Sequence, residues 1–546
     1  MGGIFLGWVA AVRTLLFPFA LFVALVVPTP LVAAEAPAQP PRLIVRMKRG
    51  VARDVFSQHA VRAAALQQFR DKIAEEAPQS KTRALPNLGI MIAEGDVAKL
   101  RRISEESSLV EYIEEDRAWK VTETSLSAPS SMAKAPWLRE ILGFTNNAVN
   151  DANTPDAQEK TIVAIVDTGA RLDHPFLFSS WDYNEDEKYG AVQVDDDLNG
   201  FVDDVIGGNV IARNGDVSEV GTDHGTHVAG IVKIVRDQAI PTHPEAANVT
   251  LLPIRFIDDR GYGTTSGAIT ALEYAAQRGA KVINCSWGAL GGEAYSQALY
   301  DAMVQLYYRD IVVVAAAGNM DSSGINDNDK VPYFPASYNI PSLLSVASMT
   351  SFYVGGQMVD YDISSFSNVG AVSVHIAAPG SYVSEYQDGI LSANANYTSS
   401  FNKYKTKKGT SMAAPVVAGV AAVVRAINPG LSAYEVKDLI LKSSSKVLDA
   451  NKVAGGAMVN AQAAFEEAQT VVTSGERPLV SQRAVAGHGF QPTSLSDEDQ
   501  RGGGGCGSIT NVDIGRGNGL LLLTSLYFMM TLIKRLWRRQ KSVSGI

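Results

Sequence analysis

Read for apolar and polar positions, the chain divides into a small patterned unit and a large one. In the small unit Leu43-Ile44-Val45-Arg46-Met47 reads as a strand, and Asp54–Ala77 carries apolar residues at roughly helical spacing, with Pro78 beyond its end. Leu88–Ala93 reads as a second strand, Val97–Ser104 as a second helix and Leu109–Asp116 as a third strand. This order predicts a ferredoxin-like α+β module across residues 41–120. Residues 121–136 are rich in Ser, Thr, Ala and Pro and show no periodicity, so they read as an exposed linker open to cutting.

From about 137 to 465 the pattern changes. Short, fully apolar runs at Thr161–Val166, Asn248–Phe256, Lys281–Cys285, Ile311–Ala316 and Leu343–Ser348 alternate with helical stretches. The helices read at Val228–Val235, Ser266–Arg278, Met412–Ala426 and Ala433–Lys442. Strands without a polar face, separated by helices, predict an α/β fold with a parallel sheet covered on both sides. Functional residues should then gather at the carboxyl ends of the strands.

The ends of the chain follow other rules. Arg13, the apolar run Leu15–Val27 and the small residues Ala33-Ala34 predict an export signal over 1–34; a retained anchor is the alternative. A polar stretch at 471–501 leads to Gly502–Cys506-Gly507, an apolar run Leu520–Ile533 and the basic end Lys534–Arg539. Fourteen helical residues rise ~21 Å, short of a ~30 Å hydrocarbon core. Residues 502–546 resemble the three-part C-terminal sorting signals of Gram-negative bacteria. That resemblance implies a tail transiently in the membrane and cut by a sorting protease near Cys506; a permanent anchor is the alternative. The formal net charge of −9 argues against nucleic acid as a partner. Two cysteines, Cys285 and Cys506, define no disulfide framework.

Chemistry enters at four places. Asp167 ends the first apolar strand of the large unit, His224 sits at a glycine turn opening a helix, and Asn319 ends the strand Val312–Gly318. Ser411 lies in Lys408-Gly409-Thr410-Ser411-Met412-Ala413-Ala414-Pro415, at the mouth of the apolar helix. Each alone reads as a cap or turn residue. Together they fit nucleophilic acyl transfer: a serine, an imidazole base, a buried acid to orient it, and an amide to stabilise an oxyanion. His224 and His227 at i and i+3 lack the Cys or Glu that would complete a zinc site.

Val-Asp-Thr-Gly, His-Gly-Thr-His-Val-Ala-Gly, Ala-Ala-Gly-Asn and Gly-Thr-Ser-Met-Ala-Ala-Pro, in this order, resemble the signatures of the subtilisin-like serine proteases. The resemblance spans roughly 137–465 and implies Asp167, His224 and Ser411 as the triad and Asn319 as the oxyanion residue. It also implies Ser286-Trp287-Gly288 and Ala316-Ala317-Gly318 as the segments that hold a protein or peptide substrate as an added strand. Trp287 departs from the small aliphatic residue usual there. Residues 35–122 would be an inhibitory propeptide, with 123–136 as the linker cut near 121–126 and 137–470 as the peptidase domain. A catalytically silent binding scaffold and a membrane-anchored processing protease are the rival readings.

A structural Ca²⁺ is a separate expectation. Asp195, Asp197, Asn199 and Asp203 place oxygens at alternate positions around Gly200, although Ile206 stands where a full EF-hand has its glutamate. Phe176 replaces a calcium-binding Asp of many relatives. Lys407 and Lys408, beside the serine, are expected to lie in water.

Overall fold

The computed structural model describes residues 41–48, 55–120, 124–126, 142 and 160–474, apart from short gaps at 220, 321–323, 325, 356, 385–387 and 399–401. The expected export signal, the 502–546 tail and most of the polar stretch before it lie outside the described residues.

The N-terminal module contains β1 (Arg42–Met47), α1 (Val55–Glu76), β2 (Lys81–Leu85), β3 (Ile90–Glu94), α2 (Val97–Glu105) and β4 (Val110–Glu115). Its sheet order is β2-β3-β1-β4, with every neighbour antiparallel, which is the split βαβ arrangement. The pattern predicts three strands where four exist. The extra one, β2, is the polar edge strand Lys-Thr-Arg-Ala-Leu, with no apolar run to betray it. Alternation along β1 sends Leu43, Val45 and Met47 into a core with Leu66, Phe69, Ile73, Leu100 and Ile103. Ile44, Ile90 and Ile92 face the other way and join the core of the large domain.

Beyond the module, β5 (Ala118–Lys120) and β6 (Thr124–Leu126) are each paired to the large domain. The linker is therefore not wholly loose: Thr124–Leu126 is a strand. The large domain is built on β7 (Thr161–Asp167), α3 (His224–Ala239), β8 (Val249–Arg255), β9 (Tyr262–Thr264), α4 (Thr265–Gln277) and β10 (Val282–Cys285). It continues with α5 (Gln297–Tyr308), β11 (Val312–Ala316), β12 (Leu343–Val354), β13 (Gln357–Ile363), β14 (Ile376–Val383), β15 (Ile390–Ala393) and β16 (Tyr404–Lys408). Helices α6 (Thr410–Ile427), α7 (Ala433–Ser443) and α8 (Ala461–Ser474) complete it. The central order β14-β12-β11-β10-β7-β8 is parallel throughout, and β13 joins β12 antiparallel.

Helix α6 is apolar and long enough to cross a membrane, yet all of it is buried. An all-round apolar helix buried on every side is a core element. It packs against α3 and the sheet, and its first turn carries Ser411.

The module sits on the N-termini of two of these helices. Asp116 accepts from the backbone and hydroxyl of Ser266 in the first turn of α4, at 2.7 and 2.6 Å. Glu114 accepts from Ser296 Oγ at 2.7 Å and Ala298 N at 3.1 Å at the start of α5. Negative side chains are favoured where helix N–H groups lack partners, so the module docks through two acids, Glu114 in β4 and Asp116 just after it.

Candidate active site

Asp167 is the last residue of β7 and is completely buried. Its Oδ1 lies 2.7 Å from His224 Nδ1 and also accepts from Thr168 N at 2.8 Å. The carboxylate requires a hydrogen on Nδ1, so Nε2 is the lone-pair nitrogen of neutral His224. Gly225 follows because the chain runs too close for a side chain: a Cβ there would lie 2.1 Å from Gly169 O.

Ser411 is the second residue of α6, and its Oγ donates to Ser286 O at 3.1 Å. Ser286 Oγ returns a bond to Ser411 O at 2.9 Å and is itself held by Asn284 Nδ2 at 2.9 Å. Asn319 is tied to the same helix. Its Oδ1 accepts from Thr410 N at 2.9 Å and Thr410 Oγ1 at 3.1 Å, while Thr410 Oγ1 accepts from Gly318 N at 3.2 Å. With its oxygen committed to Thr410, the Asn319 amide has Nδ2 as its other end, next to the Ser411 turn. The Ser411 N–H belongs to the first turn of α6, where no earlier carbonyl serves it. Gly318 has φ +99°, and a Cβ there would meet Asn368 Nδ2 at 2.5 Å, so only glycine turns the strand end this way.

Residues 158–471 match the model of the subtilase family. The chain belongs to the subtilase family. It is 36% identical over 262 residues to Subtilisin DY of Bacillus licheniformis, which covers 48% of this chain and 84% of that one. Thermitase of Thermoactinomyces vulgaris is 31% identical over 304 residues, or 56% of this chain and 88% of that one. Subtilisin-like protease 2 of Plasmodium falciparum is 35% identical over 314 residues, 55% of this chain but only 20% of the relative's length. The solved structure of fervidolysin from Fervidobacterium pennivorans shares the fold, with a TM-score of 0.53 and 21% identity over 78% of this chain and 61% of that one.

In this subtilase Ser286-Trp287-Gly288 follows β10, and Ala316-Ala317-Gly318 ends and follows the adjacent β11, so both predicted substrate segments lie at carboxyl ends of the sheet. Ala317 O is held by Asn328 Nδ2 and Asn368 Nδ2, at 2.8 and 3.1 Å. Trp287 is buried, and its indole N–H donates to Val166 O at 2.9 Å, next to Asp167. A large residue is therefore used here as a fixed wall.

Glu219 carries no motif signal, yet its carboxylate gathers the start of α3. It accepts from Gly225 N and Thr226 N, both at 3.0 Å, from Thr222 Oγ1 at 3.1 Å, and from the hydroxyls of Thr168 and Thr226. It thereby joins the turn after Asp167 to the helix that begins with His224. His227 serves structure as well: its Nε2 lies 2.9 Å from Lys405 O and 3.1 Å from Ile390 O. Burial, reinforced by the Lys407 ammonium, pushes its pKa down to about 3, so it is a neutral Nε2 donor. Cys285 is buried, and burial raises its thiol above the ordinary range.

One expectation needs correction. Lys407 does not lie in water: it is fully buried, 2.5 Å from Asp223 Oδ1, with Lys405 3.1 Å from Oδ2 of the same residue. Burial alone would raise the Asp223 carboxyl, but Lys407 and Lys405 outweigh it and hold it below its ordinary value. Lys408 pairs with Asp388 at 2.7 Å.

In the acidic loop the carboxylates take two kinds of partner. Asp195 accepts from Asn199 N and Gly200 N at 3.0 and 2.8 Å, and both oxygens of Asp203 accept from Gln193 N at 3.0 Å. These two acids therefore fold the loop on itself. Asn199 Nδ2 bridges Asp197 and Asp204, at 2.9 and 3.0 Å. The carboxylates that meet are Glu187, Asp197 and Asp204, each offering an oxygen within 4.8 Å of the others. Asp204 is fully buried, and burial pushes its pKa up to about 6 against the bonds from Tyr274 and Asn199. Glu187, 5% exposed, has a buried Oε2 with no hydrogen-bond partner among the described residues. Phe176 packs in the core beside Tyr404.

Proposed function

We propose that this subtilase is an exported serine endopeptidase, made as a zymogen, that hydrolyses peptide bonds through an acyl-enzyme. The observation that carries the reading is the 2.7 Å bond between Asp167 and His224, taken with Ser411 in the first turn of α6, a helix that packs against the one His224 begins. His224 Nε2 takes the Ser411 proton as Oγ attacks the peptide carbonyl, and Asp167 stabilises the imidazolium that forms. Asn319 Nδ2 and the Ser411 N–H receive the oxyanion. The imidazolium then gives its proton to the departing amine. Water, deprotonated by the same nitrogen, releases the acyl group from Ser411 and restores the serine.

The N-terminal module acts as the inhibitor. Strand β5 pairs with β9, and β6 pairs with β16, which leads through Gly409 and Thr410 to Ser411. The chain is thus paired to the large domain on both sides of residues 121–123, the second time on the strand that leads to Ser411, which supports self-cleavage between Lys120 and Thr124. The module then leaves the cleft. The export signal and the removable or anchoring tail belong to the same reading, drawn from the sequence of the two ends.

Ca²⁺ is the proposed structural ion. Glu187, Asp197 and Asp204 would hold it, and a Glu187 Oε2 with no hydrogen-bond partner among the described residues fits an oxygen-ligated cation. The ion would tie the loop down and takes no part in the reaction.

The test is Ser411→Ala. Peptide hydrolysis should fall by on the order of 10⁶-fold, with the module still covalently attached and the thermal melt little changed. Retained hydrolysis and self-cleavage in that variant would overturn the reading.

A further inference from the structure

We propose that Glu219 is a positioning residue of the peptidase: its carboxylate draws the Thr168 hydroxyl away from Asp167, so that Asp167 Oδ1 serves His224 and one backbone N–H alone. The proposal rests on the peptidase reading above.

Thr168 follows Asp167 at the end of β7, and its hydroxyl stands between two acids. Thr168 Oγ1 lies 3.1 Å from Asp167 Oδ1 and closer to Glu219 Oε1. A threonine hydroxyl carries one hydrogen, so it serves one acid at a time. Its oxygen meanwhile accepts from Gly225 N at 2.9 Å. Asp167 Oδ1 is already supplied by His224 Nδ1 at 2.7 Å and Thr168 N at 2.8 Å. The hydrogen therefore goes to the nearer acid, Glu219.

The setting of Glu219 requires it to be ionised. Its Oε1 faces Gly225 N and its Oε2 faces Thr226 N, both at 3.0 Å, and a backbone N–H cannot turn round to accept. The hydroxyls of Thr168, Thr222 and Thr226 complete the shell of donors. Burial, helped by the Asp167 charge, works the other way and raises the carboxyl, so the acid depends on those donors. Asp167 comes from β7 and His224 begins α3, while Arg255 of β8 bonds the neighbouring Ser218 O. Two negative charges thus stand on the Nδ1 side of His224, and Asp167 shares none of its charge with the hydroxyl. Both effects favour the imidazolium that forms when Ser411 gives up its proton. Glutamine at 219 would reverse the arrangement. With its oxygen toward Thr226 and its NH₂ toward Thr168, the hydroxyl would turn to Asp167.

The test uses the full-length chain after it has processed itself and one synthetic peptide spanning Glu114–Ala128, with kcat and KM followed against pH. Glu219→Gln should lower kcat by ~10-fold with KM within about twofold, and should lower the pKa of the acid limb of kcat/KM by about half a unit. Adding Thr168→Val to that variant should bring part of the pKa back, because the hydroxyl no longer reaches Asp167. Thr168→Val alone should move the pKa by less than about 0.2, and it serves as the second variant if Glu219→Gln does not fold. A Glu219→Gln enzyme with a lowered melt but unchanged kcat and pKa would make Glu219 a helix cap and overturn the proposal. A pKa that rises by half a unit in Thr168→Val alone would show that the hydroxyl already serves Asp167, and overturns it too. If the parent enzyme cuts neither this peptide nor casein, the peptidase reading itself fails, and the two failures are told apart.

Discussion

The active centre and the acidic loop both gather buried acids, and they are built on opposite plans. At the active centre each polar group leaves the end of a regular element: Asp167 from β7, His224 from the start of α3, Asn319 just past β11, Ser411 from the start of α6. The parallel sheet delivers those ends to one edge, and short bonds such as Asp167–His224 at 2.7 Å lock them. In the acidic loop no sheet sets the geometry. Neighbouring acids are used on nearby backbone N–H groups, and convergence depends on Glu187, from the one-turn helix Glu185–Lys188, meeting Asp197 and Asp204. A site hung on strand ends is legible from short motifs; a site hung on a loop is decided by which carboxylates the loop has already used.

The largest expected effect probes the first plan. Asn319→Ala should lower kcat by ~10²–10³-fold with KM nearly unchanged, while the melt loses only what the two Thr410 bonds contribute, about 1–2 kcal/mol. Steady-state kinetics and thermal melts together check this. Preserved kcat with a large loss of stability would make Asn319 a structural cap and break the comparison.

The second effect probes the loop. At ~100 times its Kd, Ca²⁺ should stabilise the fold by about 2.7 kcal/mol, read as a rise in melting temperature over chelated protein. Glu187→Gln should abolish that rise. Asp195→Asn should keep it while lowering both melts by about 1 kcal/mol, since it loses only loop bonds. The reverse result would return the ligand set to the alternate positions of the sequence.

The smallest effect concerns His227, which lies on α3 one turn from His224 but does a different job. Its folded pKa, about 3, lies below the ~6.5 of an unfolded histidine. Between those values the unfolded chain binds a proton that the folded chain does not. Stability should therefore be complete above pH ~6.5 and decline as pH falls toward ~3, by up to about 1.4 kcal/mol per pH unit. His227→Gln should flatten that part of the melting-temperature profile. Identical profiles would remove His227 from the acid response.

Parts of the molecule escaped the pattern for identifiable reasons. Strand β2 is a polar edge, so neither face has to be apolar. Glu219 lies outside the His-Gly-Thr-His motif and matters only because the turn folds back onto the α3 N-terminus. Lys407 looked like a solvated charge, but a strand alternates its faces. Lys405 and Lys407 share one face and meet Asp223, while Lys408 is turned toward Asp388.

By itself the sequence pointed to the doubly covered parallel sheet and to four candidate residues for the active centre. Those depend on local matters: apolar runs, turn glycines and helix mouths within a few residues of each functional side chain. Only the tertiary structure decided that Lys407 is buried against Asp223, that Asp204 rather than Asp203 joins Glu187, and that Trp119 docks between Trp287 and Thr265. Each of those is a meeting of segments distant in the chain. Burial makes an unmatched charge or indole N–H costly, so the packed partner, which no local pattern names, settles where the side chain goes.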